Sequence, residues 1–165
     1  MCKVFSELHG LETCCLRYFN AFGERQKISG AYATVIGIFK YQIENNLPLT
    51  ITGDGEQKRD FVYVKDVVDV CYFLMHHRKD AAIYNLGSGK ARTFLDLVRA
   101  TFKSMNKEEK ISFIDTPEDI RDKYQYFTEA NMSKLQSIGF DQEFTSLEEG
   151  VKDYVKNYLQ EQKYY

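Results

Sequence analysis

Arg59 lies between a glycine turn, Gly53-Asp54-Gly55, and an aromatic, β-rich run, Phe61-Val62-Tyr63. A planar guanidinium so placed can clamp a diphosphate through paired hydrogen bonds. An ion pair with Asp60 or Glu56 is the plain alternative. Asn20 closes the run Leu16-Arg17-Tyr18-Phe19-Asn20. At the carboxyl end of a strand, its amide could give and accept hydrogen bonds to a sugar or phosphate. An Asx turn after a buried strand accounts for it as well. Tyr124, Tyr126 and Thr128 alternate, so in an extended run they share one face. With Arg121 and Lys123 beside them they could hold a sugar or base; a packed edge strand needs the same pattern. Gly87-Ser88-Gly89 has the glycines of a phosphate loop but neither G-x-x-x-x-G-K nor G-x-G-x-x-G spacing, and reads as a tight strand-to-helix turn.

The other chemistry-bearing residues make no constellation. His9, His76 and His77 lie in helices or at their ends, with no Ser or Cys partner arranged as a triad. The cysteines, Cys2, Cys14, Cys15 and Cys71, lack the spacing of a zinc site and read as reduced, buried thiols. No metal is expected.

These residues need a scaffold, and the sequence outlines one. Its 165 residues suffice for one domain with a real core. The hydrophobic period switches repeatedly between helical and strand values, which predicts an α/β or α+β fold. Helices are expected over 1–9, 32–46, 65–77, 93–104, 131–138 and 145–162. Short strands are expected over 13–19, 49–52, 60–64, 82–86, 110–114 and 123–128, with a polar loop from Asn20 to Gly30. In the helix at 65–77, Val67, Val68, Cys71 and Leu74 or Met75 should face inward. Thr93 is a candidate N-cap, and Thr145-Ser146-Leu147-Glu148 a candidate capping box. A formal charge of −2 gives no general attraction to nucleic acid or membrane, so an anionic ligand needs a local basic cluster. No apolar run is long enough to span a bilayer, and no signal-peptide core opens the sequence; the cytoplasm is the expected compartment.

Taken in order, Leu16 to Asn20, Gly53-Asp54-Gly55, Arg59 to Val64 with Asp66-Val67, and Tyr84 to Gly89 resemble the C-terminal half of extended short-chain dehydrogenase/reductases, the NAD-dependent nucleotide-sugar epimerases and dehydratases. The resemblance covers nearly the whole chain. Asp122 to Asn131, then Lys134-Leu135 and Gly139-Phe140, are similar to the ADP-heptose 6-epimerases among them, enzymes of lipopolysaccharide precursors. Gly30 to Ile36 looks more like UDP-hexose 4-epimerases. The resemblance implies a substrate-binding α+β domain carrying the last strands and helices of a Rossmann fold. It implies an NAD or NADP cofactor, a nucleotide-diphosphate-sugar substrate and a homo-oligomer. Arg59 would bind the diphosphate. Asn20 and Tyr124 would contact the sugar, and Ile51, Thr52, Gly53 and Asp54 would line the nucleotide. Ala21 would lie beside the nicotinamide. Heptose epimerases carry a second acid/base lysine late in the loop after the Asn motif. That position falls near Ser29 here, and Lys27 is the nearest lysine.

The family's Gly-rich dinucleotide loop and Tyr-x-x-x-Lys pair occur nowhere in this sequence. The expectation is a substrate half that needs a cofactor-binding half to turn over, with a non-catalytic nucleotide-sugar-binding module as the alternative.

Overall fold

The computed structural model describes residues 1–27, 34–77, 82–115, 118 and 124–161. The chain opens with α1 (Cys2–His9), stopped by Gly10 in the left-handed region at φ 62°. There follow β1 (Cys14–Tyr18), β2 (Asn20–Phe22), α2 (Val35–Glu44), β3 (Leu49–Thr52), β4 (Lys58–Arg59) and β5 (Phe61–Tyr63). Then come α3 (Val64–His76), β6 (Ala82–Leu86), β7 (Arg92–Thr93), α4 (Phe94–Met105), β8 (Ile111–Ile114), α5 (Ser133–Ser137) and α6 (Leu147–Tyr154), which continues as a π-helical stretch over Val155–Leu159. β1 pairs with β6, β2 with β5 and β3 with β8, all parallel; β4 and β7 are antiparallel. Parallel pairing needs crossover segments, and here helices supply them. The expected α/β class is the one observed. No helix among the described residues is long and apolar enough to cross a membrane.

Strand alternation ties two cores together. Phe61 and Tyr63 point into a cluster built from α2, β3, α4 and α6, including Ile36, Phe39, Leu49, Val98, Val151 and Tyr154. Val62, between them in sequence, points into a second cluster with Val70, Tyr84, Leu86 and Leu135. Successive side chains of a strand face opposite ways, so three residues of β5 serve both sides. Gly150 lets α6 approach this strand: a Cβ there would lie 2.9 Å from Phe22 Cζ and 3.1 Å from Tyr63 Cγ.

The residue before β5 is Asp60, whose relative exposure is 0%. Its carboxylate accepts from Ser88 N–H (2.6 Å), Ser88 O–H (2.7 Å), Gly89 N–H (3.0 Å) and Ala130 N–H (2.9 Å). A carboxylate only accepts, and two oxygens offer about four lone-pair sites, so the set is complete. The Gly87-Ser88-Gly89 loop is thus the expected tight turn, closed on an internal anion. A Cβ at Gly87 would run into that carboxylate.

Several expectations need correction. Asn20–Phe22 is strand rather than loop, because its backbone finds β5: Asn20 pairs with Phe61 and Phe22 with Tyr63. On α3, Val70, Leu74 and Asp66 are buried, while Val68 and Met75 are exposed. The helix is turned by Asp66, whose carboxylate accepts the N–H and O–H of Thr145. Thr145 therefore does not cap α6; Ser146 does, accepting from Glu149 N–H. Thr93 caps α4 as expected, in a capping box with Asp96. Cys2 and Cys14 are exposed rather than buried; Cys14 lies on β1, which pairs with β6 alone among the described strands. Over 124–128 the backbone makes only a bridge from Phe127 to Lys58, not a full strand.

Asp60→Asn puts an N–H against backbone donors and should lower the unfolding free energy by about 3 kcal/mol, read from the denaturant midpoint. A second prediction concerns Arg92, which pairs with Asp96 (3.1 Å) and Glu148 (2.6 Å). The Arg92 hydrogen bond holds Glu148 below the usual carboxylate range; for Asp96, burial pushes up but Arg92 and Thr93 outweigh it. Depressed values mean stability that is present above about pH 4 and lost as pH falls through the folded values. Arg92→Met should flatten that acid limb of the stability profile, measured by urea unfolding across pH.

Candidate functional site

Arg59 and Tyr124, 65 residues apart in sequence, are brought together. The guanidinium carbon of Arg59 lies 5.7 Å from the Tyr124 ring centroid and 6.0 Å from that of Phe94. Phe94 is fixed in turn by an edge contact with Phe61, centroids 5.6 Å apart. Arg59 Nη1 donates to the Lys58 carbonyl at 2.8 Å. No carboxylate pairs with it among the described residues: Asp60 faces the glycine loop, and Asp54 accepts the N–H of Glu56. The surface ion pair that the sequence left open does not form. A guanidinium held between ring faces keeps most of its N–H groups for an incoming anion.

Tyr124 is linked to the Ile51–Asp54 segment through Gln57. The Gln57 amide nitrogen donates to the Thr52 carbonyl at 3.0 Å and lies 3.4 Å from the Tyr124 hydroxyl. The segment sits on the N-terminus of α4, where Leu95 N–H reaches Gly55 O and Phe94 N–H reaches Gln57 O. Ile51 is buried, Thr52 and Gly53 are half-buried, and Asp54 is exposed. Gly55, at φ 77°, lies so near Leu95 that a Cβ would come within 2.7 Å of its Cγ, so the turn requires glycine.

Asn20 is exposed beside the same strands. Its N–H reaches the Asp60 carbonyl at 3.0 Å, and its side chain has no partner among the described residues. Ala21 is half-buried; its carbonyl accepts from the Gln26 amide at 2.8 Å, which pins the loop leaving β2. Lys27 is exposed and joins the cluster through no contact among the described residues, its carbonyl accepting from Thr34 N–H. Tyr126 is exposed, its ring at 82° to that of Tyr124. Arg121, Lys123 and Ser29 lie outside the described residues.

No activated base shows itself among the perturbed tyrosines. Burial, then an accepted role for Asp153 (Tyr63 O–H to Asp153 Oδ2, 2.6 Å), pushes the Tyr63 phenol up. Burial, then Cys71, pushes up Tyr18. Both shifts favour the neutral phenol. A cavity of about 790 Å³ lies elsewhere, against Gly89, Arg92, Phe140 and Phe144, and includes none of the candidate residues. Gln57 and Phe94 escaped sequence reasoning. The one signal was their position, beside Arg59 and beside the Thr93 cap.

Parallel strands joined by crossover helices define an α/β class. The chain belongs to the NAD dependent epimerase/dehydratase family, whose model matches residues 1–87. It is 43% identical over 163 residues to the ADP-L-glycero-D-manno-heptose-6-epimerase of Fusobacterium nucleatum, covering 91% of this chain and 49% of that relative. The UDP-N-acetylglucosamine 4-epimerase of Methanobrevibacter ruminantium M1, solved with UDP-N-acetylmuramic acid, superposes with a TM-score of 0.84 at 30% identity, covering 96% of this chain and 50% of that one. The UDP-glucuronic acid 4-epimerase of Bacillus cereus, solved with UDP-glucuronic acid and NAD, gives 0.73 at 27% identity, covering 94% and 49%. The chain spans about half the length of the curated relatives it matches.

Arg59 makes no ion pair among the described residues, so Arg59→Met should change stability by less than about 1 kcal/mol. The same substitution should weaken binding of inorganic pyrophosphate at least roughly tenfold, measured by calorimetry beside a thermal melt.

Proposed function

We propose that this chain is the substrate-binding half of a nucleotide-sugar epimerase that inverts a carbon of an ADP-heptose. The observation that carries it is Arg59, a cation without a carboxylate partner among the described residues, held between Tyr124 and Phe94, with Gln57 joining Tyr124 to Thr52 of the Ile51–Asp54 turn. Arg59 binds the diphosphate, with two fixed N–H rows available to its oxygens. Asn20 and Tyr124 orient the sugar through an amide and a phenol, and Ile51 to Asp54 cover the nucleoside. Ala21, small and half-buried, leaves room for a nicotinamide at the end of this wall. NAD or NADP supplies the hydride acceptor when bound. The sequence holds no dinucleotide loop and no Tyr-x-x-x-Lys pair, so the chain's part is binding and orientation.

Exposed apolar side chains favour a covering half. Val4, Phe5, Leu8 and Leu11 stand out on or just after α1, with Val68, Tyr72 and Met75 on α3 and Ile83 on β6. So many exposed apolar side chains suit an interface better than water. The full enzyme is read as a cytoplasmic homo-oligomer. A UDP-hexose 4-epimerase half is the second reading, favoured by the likeness to structures holding UDP-sugars.

The chain should bind an ADP-sugar more tightly than the UDP-sugar in calorimetry. Mixed with NAD+ and either sugar, it should give no epimer detectable by NMR. Preference for the UDP-sugar would transfer the assignment to the hexose enzymes, and turnover would show that the catalytic groups lie within these residues.

A further inference from the structure

Gln57 is 2% exposed, and its amide nitrogen contacts both the Thr52 carbonyl and the Tyr124 hydroxyl. The Thr52 carbonyl can only accept, which fixes the carboxamide with nitrogen toward it. Its other atom, Oε1, is buried without any hydrogen-bond partner among the described residues. An unpaired buried acceptor costs stability, and an apolar side chain of similar volume would avoid that cost. What the amide does is local and specific. It joins the wall of the turn to the ring that lies on Arg59, and leaves one acceptor open between them.

Resting on the site proposed above, we infer that Gln57 is a positioning and specificity-determining residue. It holds Tyr124 on Arg59 at a set distance from Thr52, and its Oε1 accepts an N–H or O–H donor of the bound nucleoside. Inorganic pyrophosphate has the anionic group that Arg59 takes but no nucleoside donor. Gln57 should therefore matter for nucleoside diphosphates and not for pyrophosphate.

The test compares ADP and inorganic pyrophosphate by calorimetry on the chain and on Gln57→Met, with a thermal melt of each. Gln57→Met should lose roughly tenfold in ADP affinity and keep its pyrophosphate affinity, the melt serving to show that it is folded at the assay temperature. Unchanged ADP affinity would overturn the inference and leave the site standing. Parallel loss of both ligands would also overturn it, leaving Gln57 as a support for Arg59 alone. A parent chain that binds neither ligand would remove the site itself. Gln57→Glu, which keeps acceptors but adds charge beside the diphosphate, should weaken both ligands.

Discussion

The Asp60 carboxylate is the constraint on which the rest depends. It draws together three segments distant in sequence: the strand region at 58–63, the glycine loop at 87–89 and the backbone at Ala130. A buried charge without such donors would be costly, so the four bonds form as a set or not at all. Once Asp60 faces the loop, its neighbours follow from alternation. Phe61 and Tyr63 enter one core, Val62 enters the other, and Arg59 is left at the edge with no acid paired to it among the described residues.

The glycine loop shows how one sequence pattern can serve opposite ends. Backbone N–H groups at a turn between strand and helix make an anion cradle. Here the anion is covalently part of the chain. Ser88 and Gly89 bind Asp60 rather than a phosphate. Gly87 is small because the carboxylate occupies the place where a side chain would stand.

The aromatic residues divide in the same way. Phe61 and Phe94 contact each other and stiffen the base of the cluster. Tyr124 closes it from a segment that makes only one bridge to β4. With so little ladder beneath it, Tyr124 depends on Gln57 and Arg59 for its place. That dependence leaves Tyr124 on a segment with little backbone pairing among the described residues, where small energies decide position.

The amino-acid sequence by itself determined the class of the fold and the order of most elements, and it offered Asn20, Arg59 and Tyr124 as candidates, of which the structure brings Arg59 and Tyr124 together. It could do so because hydrophobic period, glycine turns and the Thr93 cap are local signals, each readable within a few residues. It misplaced Val68 on α3, the cap of α6 and the strand at Asn20–Phe22, while Leu74 and Val67 do face the core. Those were settled by partners 79 residues away, as in Thr145 with Asp66, or across a sheet, as in Asn20 with Phe61. Only the tertiary structure decided that Asp60 binds the glycine loop, that Asp60 is thereby turned away from Arg59 and that Gln57 joins Thr52 to Tyr124. Hydrogen bonds between distant segments depend on which donors burial brings together, and no spacing along the chain encodes that.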